Sequence, residues 1–407
     1  MLLKSSLSAP RSCSCGNATQ FPAAAPRSNR DPALARSARA ALLSAAAAAA
    51  GSSPAHRSVD RSISRLVSCS VSATRTPSPQ TDAASTLSRG IVYTTHEGNS
   101  WEATLAPSGA CFFFQSISRE FRFRSPWQVF CTNLFPFLPP PPKKKKTGTT
   151  ILVDPWLVGA LTFGDTPWLY EGKKKRLPAQ DLAAVCSRTD VLLISQALPD
   201  HAHGPTLRAL PDKALPVVCS PAAEAAVREA GFTDVTALPI GASAETAGGR
   251  LRVTATAGAL VGPPWATREN GFLIEELGTT ATRPLRIYYE PHCDWGEGAL
   301  DALAGGGEGG AIDAVVTPAV SQRLAGYPLV MGEENLVRLV RALRPAALIP
   351  LVNAEFEQSG PLAAAIQQVG DGGAAAVEAR LRESGLASTT KYYAPEAPGR
   401  PLAIEIA

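Results

Sequence analysis

Short apolar runs alternate with segments of helical periodicity from Thr150 to the end of the chain. Short runs of apolar and β-branched residues that are bounded by turn-forming residues are typical of buried strands. Their alternation with helices favours an α/β architecture in layers. We predict strands at Ile151–Val153, Val191–Ile194, Pro216–Cys219, Leu251–Ala255, Phe272–Glu275, Leu285–Glu290, Ala314–Thr317 and Ala347–Leu351.

Three segments between these strands have helical periodicity. Helices are predicted at Ala179–Cys186, Pro221–Ala230 and Glu333–Leu343. Apolar residues of the last helix recur at i, i+3, i+4 and i+7, at Leu336, Leu339, Val340 and Leu343. One face of this helix is therefore expected to pack on a sheet.

The first ninety residues differ in composition from the rest of the chain. Ten Arg and one Lys stand against three acidic residues, which gives +8, so the remaining residues sum to 4 − 8 = −4. Dispersed Arg, many Ser and few acidic residues are typical of organellar leaders. We predict a plastid transit peptide over residues 1–90 and a location in the chloroplast stroma, with a mitochondrial leader or an unordered tail as alternatives. The run Ala45–Ala50 is too short for a membrane span of about 20 residues, and no transmembrane segment is predicted elsewhere.

Residues 110–146 interrupt the pattern, because aromatic residues and Arg occur there without period before a run of Pro and Lys. We interpret this segment as an insertion, such as translated intron sequence, inside a domain whose first strands lie at 91–109 and whose remainder spans 147–407. The flanks Gly98–Glu102 and Thr150–Pro155 are predicted to be neighbouring strands of one sheet. Transcript sequencing that finds the segment in every mature message would contradict the intron hypothesis.

Cysteines and basic runs add little chemistry. Cys186, Cys219 and Cys293 are scattered in the domain without a CxxC pair, which favours free buried thiols in a reducing compartment. The run Lys173–Arg176 is interpreted as a solvated charged segment rather than a nucleic-acid contact, since the domain around it is acidic. We expect a small-molecule ligand or substrate and no nucleic-acid partner, while the sequence does not indicate whether a protein partner exists.

Polar motifs follow several of the predicted strands. They are Asp154-Pro155, Ser195-Gln196-Ala197-Leu198-Pro199-Asp200-His201, Glu269-Asn270-Gly271, Glu290-Pro291-His292 and Asn353. In this order they resemble the metallo-β-lactamase superfamily, and more narrowly its plastid and cyanobacterial branch with altered metal motifs. The resemblance implies a metallo-β-lactamase-like αββα four-layer sandwich with metal ligands on loops at strand ends. It also implies hydrolysis by a metal-bound hydroxide.

The principal metal motif of that family, H-x-H-x-D-H, maps onto residues 196–201. Its first two positions are Gln196 and Leu198, and Leu has no lone pair to donate to a metal. The third ligand of the first metal would fall at Gly258. The resemblance therefore implies that the first metal site is absent.

The second metal site is better preserved, because Asp200 and His201 match their motif positions. Glu290 stands where the family places a bridging Asp, and Asn353 replaces the final His. We predict one divalent ion, Zn²⁺, Fe²⁺, Mn²⁺ or Mg²⁺, held by Asp200, His201 and Glu290. Additional cleft residues are predicted at Gln196, His203, His292, Asp294 and Asn353. Alternatively, Asp200 caps a helix that begins near Gly204.

Two functions of different classes follow from these residues. One is a plastid metal-dependent hydrolase that cleaves a small ester or phosphoester at a rewired single-metal site. The other is a catalytically silent module that binds a ligand or a protein in the same cleft. Membership of a fold family describes the fold more reliably than the reaction, so enzyme activity is left open.

Overall fold

The computed structural model of the protein describes residues 89–106, 148–261, 265–277, 283–304, 310–351, 355–395 and 397–406. The predicted leader, apart from its last two residues, lies outside these ranges. The predicted insertion at 110–146 and the predicted cleft residue Asn353 also lie outside them.

The strands and helices are numbered in chain order. The strands are β1 (Gly90–Thr95), β2 (Trp101–Ala106), β3 (Thr149–Val153), β4 (Leu161–Thr162), β5 (Glu171–Lys173), β6 (Val191–Ile194), β7 (Val217–Cys219), β8 (Val235–Ala237), β9 (Ser243–Thr246), β10 (Leu251–Ala257), β11 (Asn270–Glu276), β12 (Leu285–Tyr289), β13 (Ala314–Pro318), β14 (Ser321–Leu324), β15 (Tyr327–Met331), β16 (Ala347–Leu351), β17 (Glu357–Ser359), β18 (Ile366–Val369), β19 (Lys391–Tyr392) and β20 (Leu402–Glu405). The helices are α1 (Leu182–Arg188), α2 (Gly204–Ala209), α3 (Glu224–Glu229), α4 (Ala299–Ala304), α5 (Gly332–Leu343), α6 (Pro361–Ala365) and α7 (Ala374–Glu383).

Two seven-stranded sheets form the centre of the fold. Their strand orders are β20-β1-β2-β3-β6-β7-β8 and β19-β16-β13-β12-β11-β10-β9. Two three-stranded sheets have the orders β15-β14-β18 and β17-β5-β4. The strands β3, β6, β7 and β8 run parallel. Burial on both faces explains why β6, β7 and the Ile151–Val153 part of β3 are continuous apolar runs rather than alternating ones.

The main core lies between the two large sheets. Ile151 and Val153 of β3 pack into it from one side, and Phe272 and Ile287 pack into it from the other. Leu152, which lies between the two β3 residues, points to the opposite face, because successive side chains of a strand alternate. The strands β3, β6 and β7 therefore contribute apolar residues to two layers.

Helices cover the outer faces of both large sheets. Leu152, Leu192 and Val217 pack with residues of α1, α2 and α3, including Val185 and Leu207. On the other side, the second sheet packs with α4, α5 and α7 through Leu300, Leu303, Leu336, Leu339, Val340, Leu343, Val377 and Leu381. The predicted αββα four-layer sandwich and the predicted apolar face of α5 are thus confirmed.

The eight predicted strands are present, with ends that differ by a few residues. The first helix begins at Leu182 rather than Ala179, because the side chain of Asp181 accepts hydrogen bonds from Ala183 N and Ala184 N and caps the helix there. The predicted neighbours on either side of residues 110–146 pair antiparallel, with Trp101 opposite Val153. The three domain cysteines are free and buried, as predicted. No helix within the described ranges has the length and apolar character that a membrane crossing requires.

A buried carboxyl joins the two large sheets. Thr149 Oγ1 of β3 donates a hydrogen bond of 3.0 Å to Glu276 Oε1 of β11, while Oε2 has no partner among the described residues. Burial raises the pKa of Glu276 from 4.5 to about 7. The folded protein therefore favours the neutral carboxyl.

This carboxyl predicts a pH dependence of stability. Its contribution is fully present below pH 4.5 and is lost as the pH rises through about 7. We expect the free energy of unfolding to fall by about 2 kcal/mol over this window, after allowance for partial solvent screening. Urea titrations across the window should show that Glu276→Gln lacks this slope, whereas Glu383→Gln, at an exposed position, keeps it. An unchanged slope in Glu276→Gln would contradict the assignment.

Candidate functional site

Asp154 forms the base of the candidate site. It follows β3 with a left-handed backbone conformation (φ 44°) and is fully buried. Ser195 N donates to Oδ1 at 2.7 Å, while Ser195 Oγ and Tyr289 OH donate to Oδ2 at 2.5 and 2.6 Å. A non-glycine residue in this conformation needs such support from its surroundings. Asp154 is thus a fixed hydrogen-bond acceptor at the base of the candidate site.

His201 lies directly above this acceptor. Its Nδ1 is 2.7 Å from Asp154 Oδ2, and its Nε2 is 3.4 Å from Asp200 Oδ2. Burial opposes a charged ring, but the carboxylates of Asp200 and Asp154 outweigh it and raise the pKa of His201 to about 10. The two carboxylates therefore favour the protonated form of the ring, whose Nδ1 faces Asp154 and whose Nε2 faces Asp200. Two carboxylates against one imidazolium leave this cluster with a net negative charge.

Asn99 contacts both members of this pair. Its Nδ2 donates to Asp200 Oδ2 at 3.2 Å and lies 3.1 Å from His201 Nε2. Asn99 belongs to the loop between β1 and β2, which closes through His96 N donating to Ser100 O at 2.8 Å. A residue far away in sequence therefore reaches the Asp200–His201 pair.

The segment 174–176 holds this loop in place. Lys174 Nζ donates to His96 O at 2.6 Å and to Glu97 O at 2.9 Å, and it lies 3.9 Å from the centre of the Trp156 ring. Lys175 N and Arg176 N donate to the buried Glu97 carboxylate. The prediction that Lys173–Arg176 is a solvated run is wrong for Lys174, whose burial lowers its pKa well below the usual range.

Gln196 and His292 form a second polar pair beside the first. Gln196 Nε2 lies 2.9 Å from His292 Nδ1, and the rings of His292 and His201 have their centroids 5.4 Å apart. Burial lowers the pKa of His292 to about 3, so its ring is neutral. Two of the predicted additional cleft residues therefore adjoin the Asp200–His201 pair.

Glu290 binds backbone groups instead. Its Oε1 accepts a hydrogen bond from Ala259 N at 3.2 Å, and Oε2 accepts from His292 N at 3.0 Å and Asp294 N at 2.8 Å. Burial raises the pKa of its carboxyl to about 8. The carboxyl thereby joins the loop after β10 to the loop after β12.

His203 and Asp294 also have structural partners. His203, rather than Asp200, caps α2, because its Nδ1 accepts from Thr206 N and its Nε2 lies 3.1 Å from Ala160 O. Burial lowers the pKa of His203 to about 4. Asp294 Oδ2 accepts from Leu260 N and Arg268 Nη1. The alternative that Asp200 is a helix cap is therefore wrong.

These positions determine how well a metal ion would fit. Among the described residues, no group of three or more His, Cys, Asp and Glu side chains could hold a metal ion. Asp200 and His201 meet at 3.4 Å, whereas Glu290 is not grouped with them. Of the predicted set of three, Asp200 and His201 lie together, and their binding of a metal ion stays a prediction.

Sequence reasoning missed the two residues that support this pair. Asp154 carried a signal, since an acidic residue directly after a buried strand is often found at the edge of a site. Asn99 carried only the turn-forming composition of Gly98-Asn99-Ser100. Neither residue has a spacing relative to Asp200 that a sequence motif would reveal.

Comparison with protein families identifies the superfamily of the chain. A family model described as the β-lactamase superfamily domain matches residues 144–352, just over half of the 407-residue chain. The chain belongs to the β-lactamase superfamily. The superfamily match includes Asp154, the Asp200–His201 pair and Glu290, while Asn99 precedes it. Both the predicted superfamily and the predicted fold are confirmed.

Several solved structures are similar to this chain at low sequence identity. Igni18, a metallo hydrolase from the archaeon Ignicoccus hospitalis, is 14% identical, covering 78% of this chain and 100% of that chain, with a TM-score of 0.44. An isothiocyanate hydrolase from Delia radicum gut bacteria is 15% identical, covering 64% and 95%, with a TM-score of 0.44. CmlA, a diiron β-hydroxylase from Streptomyces venezuelae, is 15% identical, covering 79% and 55%, with a TM-score of 0.43. No curated protein matches the chain.

Proposed function

We propose that this protein is a metal-dependent hydrolase with a single-ion site, in which Asp200 and His201 hold the ion. The observation that carries the proposal is the 3.4 Å approach of Asp200 Oδ2 to His201 Nε2, with the other ring nitrogen fixed by Asp154. Metal-ligating histidines commonly donate their second N–H to a carboxylate, which sets the tautomer and orients the ring. Asp154 has this position relative to His201.

The charges of the site also favour the binding of a divalent cation. Asp154 and Asp200 are buried close to one imidazolium, so replacing the Nε2 proton by a divalent ion turns an excess negative charge into a balanced one. A bound divalent ion supplies Lewis acidity and lowers the pKa of a coordinated water. Because the raised pKa of His201 makes its proton compete with the ion, metal affinity is expected to increase with pH.

Metal content is the direct test. Purified full-length protein, loaded with Mn²⁺, Fe²⁺ or Zn²⁺ in separate samples and desalted, should retain close to one equivalent by mass spectrometry. The double variant Asp200→Ala, His201→Ala should retain none. His203→Ala is the matched control, since it removes a buried histidine of the same segment that has a structural role, and it should keep the metal. Wild-type protein that retains none of these metals would overturn the proposal.

A catalytically silent binding module is the second candidate. It is favoured by Leu198 and Gln196 in the two positions of the first-metal motif, and by the backbone hydrogen bonds of Glu290. In that case a small molecule occupies the cleft around Gln196 and His292. Well-folded wild-type protein without metal would make this candidate the working model.

The substrate class and location belong to the same proposal. A small ester or phosphoester suits a site with one cation and a few polar groups, and a panel of both substrate types on the metal-loaded protein tests it. The leader composition supports import into the plastid stroma. A fluorescent fusion to residues 1–90 that enters mitochondria or stays in the cytosol would contradict this location.

A further inference from the structure

Three buried acceptor oxygens at the candidate site lack hydrogen-bond donors. They are Asn99 Oδ1, Gln196 Oε1 and Asp200 Oδ1, which have no partner among the described residues. Asn99 and Gln196 are 7% and 0% exposed. Buried polar atoms in folded proteins are nearly always satisfied by protein, water or a ligand, so each exception requires an explanation.

The side chain of Asn99 is directed only at the Asp200–His201 pair. The hydrogen-bond partners of its amide among the described residues are Asp200 Oδ2 and His201 Nε2. Its own loop is closed without it, through the backbone of His96 and Ser100 and the bonds from Lys174. The hydrogen bonds that close this loop therefore do not involve the Asn99 amide.

The loop presents this amide from a fixed position. Gly98 has a left-handed backbone (φ 61°), and a Cβ atom there would lie 3.2 Å from the Trp156 ring. Ser100 Oγ accepts a hydrogen bond of 3.2 Å from Trp156 N on the other side of Asn99. Both neighbours of Asn99 are thus packed against the residues that follow β3, as is expected of a preorganised ligand.

Three polar atoms form a small triangle at this point. Asn99 Nδ2, Asp200 Oδ2 and His201 Nε2 are separated by 3.1, 3.2 and 3.4 Å. Atoms bonded to one ion at about 2.1 Å lie about 3.0 Å apart in octahedral and about 3.4 Å apart in tetrahedral geometry. The triangle therefore has the edge lengths of one face of a metal coordination sphere.

We infer that Asn99 is the third protein ligand of the ion that the proposed function assigns to Asp200 and His201, and the inference rests on that function. A half turn of the amide brings Oδ1 to the place that Nδ2 holds, because the two ends of an asparagine amide have almost the same shape. One amide oxygen, one carboxylate oxygen and one imidazole nitrogen suit Mn²⁺ or Fe²⁺. Three protein ligands leave positions for water and substrate.

The variants Asn99→Leu and Asn99→Asp distinguish two roles of Asn99, that of a metal ligand and that of a hydrogen-bond donor to Asp200. Asn99→Leu removes both the metal-binding oxygen and the donor N–H group. Asn99→Asp removes the donor but provides a carboxylate, which is a better metal ligand than an amide. If Asn99 only donates to Asp200, both variants should lose the site, since the carboxylate introduced by Asn99→Asp would also repel Asp200. If Asn99 binds the ion, Asn99→Leu should weaken binding by about tenfold or more, and Asn99→Asp should bind at least as tightly as wild type.

The measurement is a Mn²⁺ titration of the full-length proteins, in which electron paramagnetic resonance detects the free ion. Near-ultraviolet circular dichroism of each variant, with and without Mn²⁺, reports whether the fold is retained. Wild-type affinity in Asn99→Leu, or equal loss in both variants, overturns the inference alone. Wild-type protein that binds no Mn²⁺ overturns the proposed function and the inference together, so the two failures are distinguishable.

Discussion

An Asp154→Ala protein is expected to lose about 4 kcal/mol of unfolding free energy, because the buried His201 ring loses the carboxylate that faces its Nδ1. Asp154 is fully buried and pairs with His201 at 2.7 Å. Ser195 and Tyr289 also lose their acceptor. Urea unfolding at neutral pH measures the change, and the pKa of His201, followed by NMR, should fall because one of its two carboxylates is gone.

Asp212→Ala is the matched control for this substitution. Asp212 accepts a hydrogen bond from Ala214 N at an exposed turn, so its loss should cost less than about 1 kcal/mol. If Asp154→Ala were as mild as this control, or if the pKa of His201 did not change, Asp154 would not be the anchor of the histidine.

The layered fold could be predicted from the sequence because its cause is local. Strands such as Val191–Ile194 are buried on both faces, so a continuous apolar run marks each of them. The helix Glu333–Leu343 shows its buried face by spacing alone. Exact helix starts were less predictable, since they depend on single capping side chains such as Asp181.

The candidate site was only partly predictable, because its residues come from separate loops. Asp200 and His201 are adjacent in sequence, and the family motif indicated both. Their partners Asn99 and Asp154 meet them only through the pairing of β2 with β3 and of β3 with β6. A residue at the end of a strand can be predicted to lie near the site, but the sequence does not predict the direction in which its side chain points. Glu290 illustrates this, since its carboxylate is directed at backbone N–H groups.

Glu290 provides the second prediction with a large expected effect. Glu290→Ala should lower the free energy of unfolding by about 3 kcal/mol, because three buried N–H groups of Ala259, His292 and Asp294 lose their acceptor. Mn²⁺ affinity should stay within about threefold of wild type, since the carboxylate is not grouped with the Asp200–His201 pair. Urea unfolding and the Mn²⁺ titration of the same preparation measure both quantities.

The conservative variant Glu290→Gln distinguishes two roles of Glu290. In one, here called a clamp, its carboxyl holds the loops after β10 and β12 by hydrogen bonds to their backbone, and in the other it binds the metal ion. Its amide oxygen can still accept from His292 N and Asp294 N, so a clamp predicts a milder loss of about 1 kcal/mol and unchanged Mn²⁺ binding. If Glu290 is a metal ligand, Glu290→Gln should weaken Mn²⁺ binding, because an amide in place of a carboxylate removes a negative charge from the coordination of the ion. Stability should change little, because most of the loop's hydrogen bonds remain. Stable Glu290→Gln protein that no longer binds Mn²⁺ would therefore restore Glu290 to the metal site. Stable Glu290→Gln protein that binds Mn²⁺ as well as wild type would show that the ion's ligands lie on the other loops.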